Sequence, residues 1–305
     1  MKSIIPKRKL WFAISSTLIV LSVLSLIAWG LKPAIDFTGG SLLEVKFHKS
    51  VPLTEEIKNK VSELEIEGDI VVQPTGEDGM IIRMKPNDEE THQRVVEKLK
   101  ESFNTEGEQN LEEMRFESIG PAIGAELKKK AIVSIVLVLI AIVLYIAWAF
   151  RKVSWPIASW KYGVIAIVAL FHDIIITIGV FAVLGHFMNL EVGLPFVAAL
   201  LTILGYSVND TIVVFDRVRE NLAKHGKGNF EDLVNRSVNQ TLVRSMNTSI
   251  TTLLILFVIF LFGGASIKFF VLALLIGVIL GTYSSIFIAS PLLVVWKRIS
   301  KKIRE

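Results

Sequence analysis

The sequence predicts a polytopic α-helical membrane protein with six spans and a βαββαβ domain inserted after the first. Three observations carry this. Of 305 residues 52% are hydrophobic, and they are gathered into six runs of the roughly 20 residues a spanning helix needs. Lys and Arg bunch in alternate connections between those runs. Residues 33–127 break the apolar pattern and show the periodicities of a small folded unit.

The first run, near 10–31, follows Lys2, Lys7, Arg8 and Lys9. It has no small-x-small site before Lys32, so it reads as a retained helix rather than a cleaved leader. Runs near 131–150 and 162–184 are joined by Arg151, Lys152 and Lys161. Runs near 192–215 and 241–262 are joined by Arg217, Arg219, Lys224, Lys227 and Arg236. The last run, near 267–296, leads to Lys297, Arg298, Lys301, Lys302 and Arg304. The positive-inside rule puts all of these, and both termini, in the cytoplasm. Residues 32–127 hold 11 Lys/Arg against 21 Asp/Glu, so the rest of the chain carries the basic excess behind the net charge of +4. That excess reads as topology and as contact with anionic lipid heads, with no nucleic-acid patch. There is no cysteine, which excludes disulfide and thiolate chemistry.

The chain thus divides into 1–32 (cytoplasmic N-terminus and span one), 33–127 (extracytoplasmic domain) and 128–305 (spans two to six, with a cytoplasmic loop at 216–240 and a basic tail). In the domain, Gly40–His48 alternates as a strand does, and strands are predicted near 41–47, 69–73, 79–85 and 113–119. Pro52–Leu64 is a helix led by a Thr54 cap, and "NDEETHQRVVEKLKESF" is a second capped helix. The order βαββαβ is ferredoxin-like. His48 and His92 stand alone and read as solvated, so the domain is a binding or coupling module. In "SIGPAIGAELKKKA", Gly120, Pro121 and Gly124 allow a bend, either a rigid turn or a hinge. "FEDLVNRSVNQTLV" has Phe230, Leu233, Val234 and Val238 at helical spacing, which predicts a helix on the cytoplasmic membrane surface leading into span five.

Polar residues inside spans are the candidate site, because an ionised side chain at the bilayer centre costs about 2.5–3.5 kcal/mol on insertion scales. Asp210, in span four, is the clearest. Ser207 shares its face and Asn209 lies at the edge. Span five has only ten purely apolar residues, Leu253–Phe262, so it recruits Arg244, Asn247 and Thr248 into the inner leaflet, at a depth similar to Asp210. Arg stays protonated while Asp can gain or lose a proton, so a site in which the Arg244–Asp210 distance alternates can load and release one proton per cycle on Asp210; the alternatives are a structural hydrogen bond for Asp210 and a snorkelling Arg244. His172 and Asp173 in span three are a relay element or a structural bond. Gly277 and Gly281 form a GxxxG packing face in span six. No nucleotide loop, metal motif or nucleophile triad is present. The expected coupling ion is the proton, with no metal and no organic cofactor.

These residues resemble the SecD/SecF family of bacterial protein-export membrane subunits. The resemblance rests on "IDFTGGSLLEV", "ESIGPAIGAEL", "FHDIIITIG", "LGYSVNDTIVVFDRVREN" and "SVNQTLVRSMNTSITTL" in order. It implies kinship with resistance-nodulation-division (RND) transporters, in which two six-helix halves surround a pseudo-two-fold axis, this chain being one half. It implies that Asp210 and Arg244 are the proton relay, completed by a SecD carboxylate. The implied partners are SecD, the Sec translocon channel with its accessory membrane proteins, and unfolded preprotein. Two rival readings stand beside it. One is an RND-type small-molecule exporter, for which the inserted domain leaves little pocket; the other is a structural subunit that couples nothing.

Overall fold

The structure, a computed structural model, describes residues 2–104, 109–151, 158–225 and 228–302. Of the basic residues used for orientation, Lys152, Lys227 and Arg304 lie outside these. The chain folds as two compact units, Met1–Lys32 with Val133–Glu305, and Pro33–Ile132.

Helix α1 (Arg8–Trp29) is the first span. The domain then opens with a single helical turn, α2 (Ile35–Thr38), which periodicity did not reveal. It continues as β1 (Gly40–Phe47), α3 (Thr54–Ser62), β2 (Val71–Thr75), β3 (Gly79–Met84), α4 (Glu89–Phe103) and β4 (Leu111–Ile119). The sheet order is β2-β3-β1-β4 with every pair antiparallel, the ferredoxin-like arrangement the element order predicts. Alternation explains it: Leu43, Val45 and Phe47 point to one face of β1 and are buried with Ile57 and Val61 of α3 and Val95 and Leu99 of α4. A bulge at Glu44/Val45 shifts the register against β4.

Two local expectations are corrected. Thr54 does not cap α3; the cap position is Leu53, with no side-chain bond. Asp88 does cap α4, accepting from the Thr91 amide at 3.0 Å. His92 is not solvated. It is buried, stacked on Phe116 with ring centroids 3.8 Å apart, and its Nε2 lies 2.9 Å from Glu113 Oε1. One histidine in a polar helix looks like surface until the sheet residue that covers it is known.

The Gly-Gly step after α2 has a steric reason. Gly39 and Gly40 have φ of +74° and +140°, and a Cβ on Gly39 would stand 2.9 Å from Pro121 Cα, so only glycine fits. Pro121 opens α5 (Pro121–Ala149), a position proline favours. A Cβ on Gly124 would stand 3.0 Å from the Gly39 nitrogen. Gly120 precedes the helix, and Gly124 lies within its unbroken length. Gly124 is therefore a close-packing position rather than a bend.

On the domain surface, Glu63 takes Lys60 Nζ at 2.8 Å and Lys98 Nζ at 2.7 Å. Hydrogen bonds from Lys60 and then Lys98 hold its carboxyl down at about 2. The folded value lies below the unfolded one, so this contribution is complete above about 4.5 and is lost as pH falls through about 2. Lys98→Ala should move the Glu63 titration back toward its ordinary value, read by carboxyl NMR on the intact chain in lipid.

The remaining spans are α5, α6 (Ser159–Met188), α7 (Leu194–His225), α8 (Phe230–Phe262) and a last helix in three parts. That last helix is α9 (Ala265–Ser284), a π-helical turn at Ser285–Ala289, and α10 (Ser290–Lys302). The π turn was not predicted; Ser290 Oγ closes onto the Ser285 carbonyl at 2.8 Å, five residues back. The six spans are those the apolar runs mark, but several run beyond them. Helix α7 is about 48 Å long at about 1.5 Å per residue, against a hydrocarbon core of about 30 Å. The supposed loop 216–240 is thus mostly helix. Nor does the 230–240 segment lie apart as a surface helix. It is continuous with span five, and Phe230, Leu233, Val234 and Val238 are buried against Phe215, Val218, Leu293, Ile4 and Ile5. The N-terminal segment is seated on it: Asn235 Oδ1 accepts from the Ile4 and Ile5 amides at 3.0 and 3.1 Å.

Candidate functional site

The transmembrane unit is held by small residues that let helix backbones approach. A Cβ on Gly281 of α9 would stand 2.8 Å from Ser207 Cβ, and one on Gly277 would stand 2.2 Å from Ile203. The GxxxG face therefore packs against α7, and it brings the hydroxyls that follow Gly281 level with the polar residues of α7.

The result is a buried polar cluster shared by α6, α7, α8, α9 and the π turn. Asp173 of α6 is its best-satisfied carboxylate. Oδ1 lies 2.9 Å from His172 Nδ1, and Oδ2 accepts from Ser207 Oγ at 2.6 Å and Ser284 Oγ at 2.8 Å. All four residues are fully buried. Thr211 and Ser285 hydroxyls meet at 2.8 Å. Asp210 is also buried, with Ser245 of α8 and Thr282 of α9 as its polar neighbours. Among the described residues, Asp210 Oδ2 and Ser245 Oγ have no hydrogen-bond partner, and no cation pairs with Asp210.

The predicted residues divide between two faces. Ser207, Asp210, His172 and Asp173 point inward, while Asn209, Arg244, Asn247 and Thr248 are exposed on the outer surface of the unit. Arg244 is next in chain to Ser245, the neighbour of Asp210, so its level matches expectation. At about 100° per residue, however, its side chain turns away, and within this chain it does not meet Asp210. The physical reason is that α8 carries a second polar stripe. Ser237, Thr241, Ser245 and Ser249 recur every fourth residue and are the buried ones. Ser249 and Thr282 hydroxyls meet at 2.5 Å, and Tyr206 donates to Ser249 at 3.3 Å. The spacing of four was the available signal for these hydroxyls; Thr282, Ser284 and Ser285 had only their position after Gly281.

Six spans, with a buried carboxylate that has no counter-charge among the described residues and an outward polar face beside it, define the class: a polytopic membrane subunit. The family described as protein export membrane protein SecD/SecF, C-terminal, matches residues 98–299, and the SecD/SecF GG motif matches residues 25–51. A protein translocase subunit SecF from Thermobaculum terrenum is 41% identical over 97% of this chain and 94% of that protein. One from Anaerolinea thermophila is 40% identical with the same coverage. The crystal structure of SecDF, a translocon-associated membrane protein from Thermus thermophilus, superposes with a TM-score of 0.82 at 34% identity, covering 97% of this chain and 39% of that one. A second SecDF structure, in a Super-membrane-facing form, gives 0.69 at 33% identity over 99% and 40%. The chain belongs to the SecD/SecF family.

Proposed function

We propose that this chain is the SecF-type half of a SecD–SecF assembly, which assists the Sec translocase in exporting unfolded preproteins and draws on proton flow to do so. The observation that carries it is the division of α8 into two polar stripes. The hydroxyl stripe is buried beside Asp210, while Arg244, Asn247 and Thr248 are exposed where a lone spanning helix would meet lipid. Uncovered polar and cationic groups at that depth are costly, so a second membrane subunit covers them. Its arrival would bring Arg244, and a carboxylate of the partner, to the edge of the Asp210 cluster. The proton is then the coupling ion, and the chain hydrolyses nothing.

The rest of the reading follows from the family. The assembly sits in the bacterial plasma membrane with both termini of this chain cytoplasmic, where its basic residues meet anionic lipid. The ferredoxin-like domain faces the far side and engages the preprotein leaving the translocon channel. The domain has about 100 residues in one compact unit, which disfavours the small-molecule exporter.

The native chain has no cysteine, so single cysteines report cleanly. Asn247→Cys should cross-link to a SecD-type subunit in native membranes, while Cys at Val133, on the bare flank of α5, should not. Labelling of Asn247→Cys by a lipid-soluble maleimide, with no protein adduct, would overturn the reading.

A further inference from the structure

His172 and Asp173 are not needed by an Asp210–Arg244 relay, yet they are the most completely enclosed titratable pair in the transmembrane unit. We propose that His172, held by Asp173, is a second proton-holding group, separate from Asp210 and linked to it through Ser207. The inference rests on the proton-coupled reading above.

The argument starts from the donors. Asp173 Oδ2 accepts from the hydroxyls of Ser207 and Ser284, and Oδ1 lies 2.9 Å from His172 Nδ1; in the tautomer with Nδ1 donating, Asp173 takes three donors as a carboxylate does. With His172 neutral the pair bears one buried negative charge, which is costly without a counter-charge. One proton on the imidazole removes that charge. With Nδ1 turned to Asp173, Nε2 is the ring position left to hold that proton. That atom is buried and has no partner among the described residues. No other hydrogen bond of the cluster has to break, so the pair changes net charge with little rearrangement.

The surroundings leave few other groups to do this. Helix α1 packs beside α6 and has no ionisable side chain between Leu10 and Trp29. Helix α9 presents Tyr283, whose ring stacks on His172 at 5.9 Å and whose hydroxyl lies 3.1 Å from Ser15 Oγ. Lys297 and Arg298 of α10 are at the other end of α6, where Trp160 meets Trp296. Helix α7 offers Tyr206, engaged with Ser249, and Asp210. Ser207, the Asp173 donor, precedes Asp210 by three residues and shares its face. Charge at Asp210 therefore acts on the pair across one helical turn of buried interior, where screening is weak.

Two measurements test this. In the full chain reconstituted in lipid and labelled with 15N-histidine, the His172 ring signals should show both a one-proton and a two-proton imidazole as pH is varied; His172→Asn assigns its signal among five histidines. That variant can still donate to Asp173, because Asn Nδ2 takes the place of Nδ1, but it holds no proton. In the complex it should assemble normally and lower gradient-dependent export by at least about tenfold. A single protonation state of His172 at every pH at which the chain stays folded overturns the proposal, as does wild-type gradient stimulation in His172→Asn. The NMR result is read on this chain alone. Failure of the relay reading shows instead as undiminished stimulation in Asp210→Asn, and the His172 titration then decides the inference.

Discussion

Asp210→Asn should leave the chain assembled with its partner and abolish the proton-gradient-dependent part of export. The substitution keeps the shape of the side chain and its place beside Ser245 and Thr282, but the amide neither binds nor releases a proton. A potential of about 100 mV contributes about 2.3 kcal/mol for each charge moved across it, and that drive is lost if the buried carboxyl of Asp210 can no longer take up and release a proton. Arg244→Lys keeps the charge but not the planar fork of donors, so it should be impaired rather than neutral. Arg244→Met removes the charge that the proposed assembly brings to the Asp210 cluster and should resemble Asp210→Asn. The measurement is preprotein translocation into inverted membrane vesicles, with and without an imposed gradient, at matched expression. Full stimulation in Asp210→Asn would leave a subunit that stabilises the translocase without coupling.

Gly179→Ala should be the most damaging single-methyl change in the transmembrane unit. Its Cβ would stand 2.3 Å from Ser22 Cβ and 2.6 Å from Ser22 Cα. Rotating a side chain cannot relieve a clash with backbone, so α1 must move off α6. The Ser25 hydroxyl would then lose the Gly179 carbonyl it donates to at 3.1 Å. Overpacking of this kind costs about 1–3 kcal/mol, more than the helix propensity of roughly 1 kcal/mol that alanine returns. Gly205→Ala is the matched control: it lies in α7 with nothing within 4 Å of its Cβ position, so the same change should stabilise. The fraction of protein still monodisperse after heating in detergent measures both. Equal behaviour of the two variants would mean that α1 and α6 are not in contact at Ser22.

The sequence determined a great deal of this protein. Six apolar runs located six spans, because the bilayer demands length and apolarity that chance rarely supplies. Strict alternation in β1, and helical spacing in α3 and α4, placed every element of the domain sheet, because period two and period 3.6 are local properties of the backbone. Asp210 and Asp173 were visible because an acid amid apolar residues is conspicuous without any knowledge of its neighbours.

Which way a polar residue faces was not decided there. Helix α8 carries two polar stripes, one through Arg244 and Thr248 and one through Ser245 and Ser249. Periodicity gives the stripes but not the partner. The tertiary structure buries the second, because hydroxyls small enough to pack can meet Thr282 on α9. The same holds for His92, exposed by its sequence context and covered by Phe116 from a strand 24 positions on. It holds again for Phe230 and Val234, amphipathic in either setting but seated on Ile4 and Ile5 from the other end of the chain. Contacts between distant segments depend on which surfaces fit together, and that is a property of the folded whole rather than of any window along the chain.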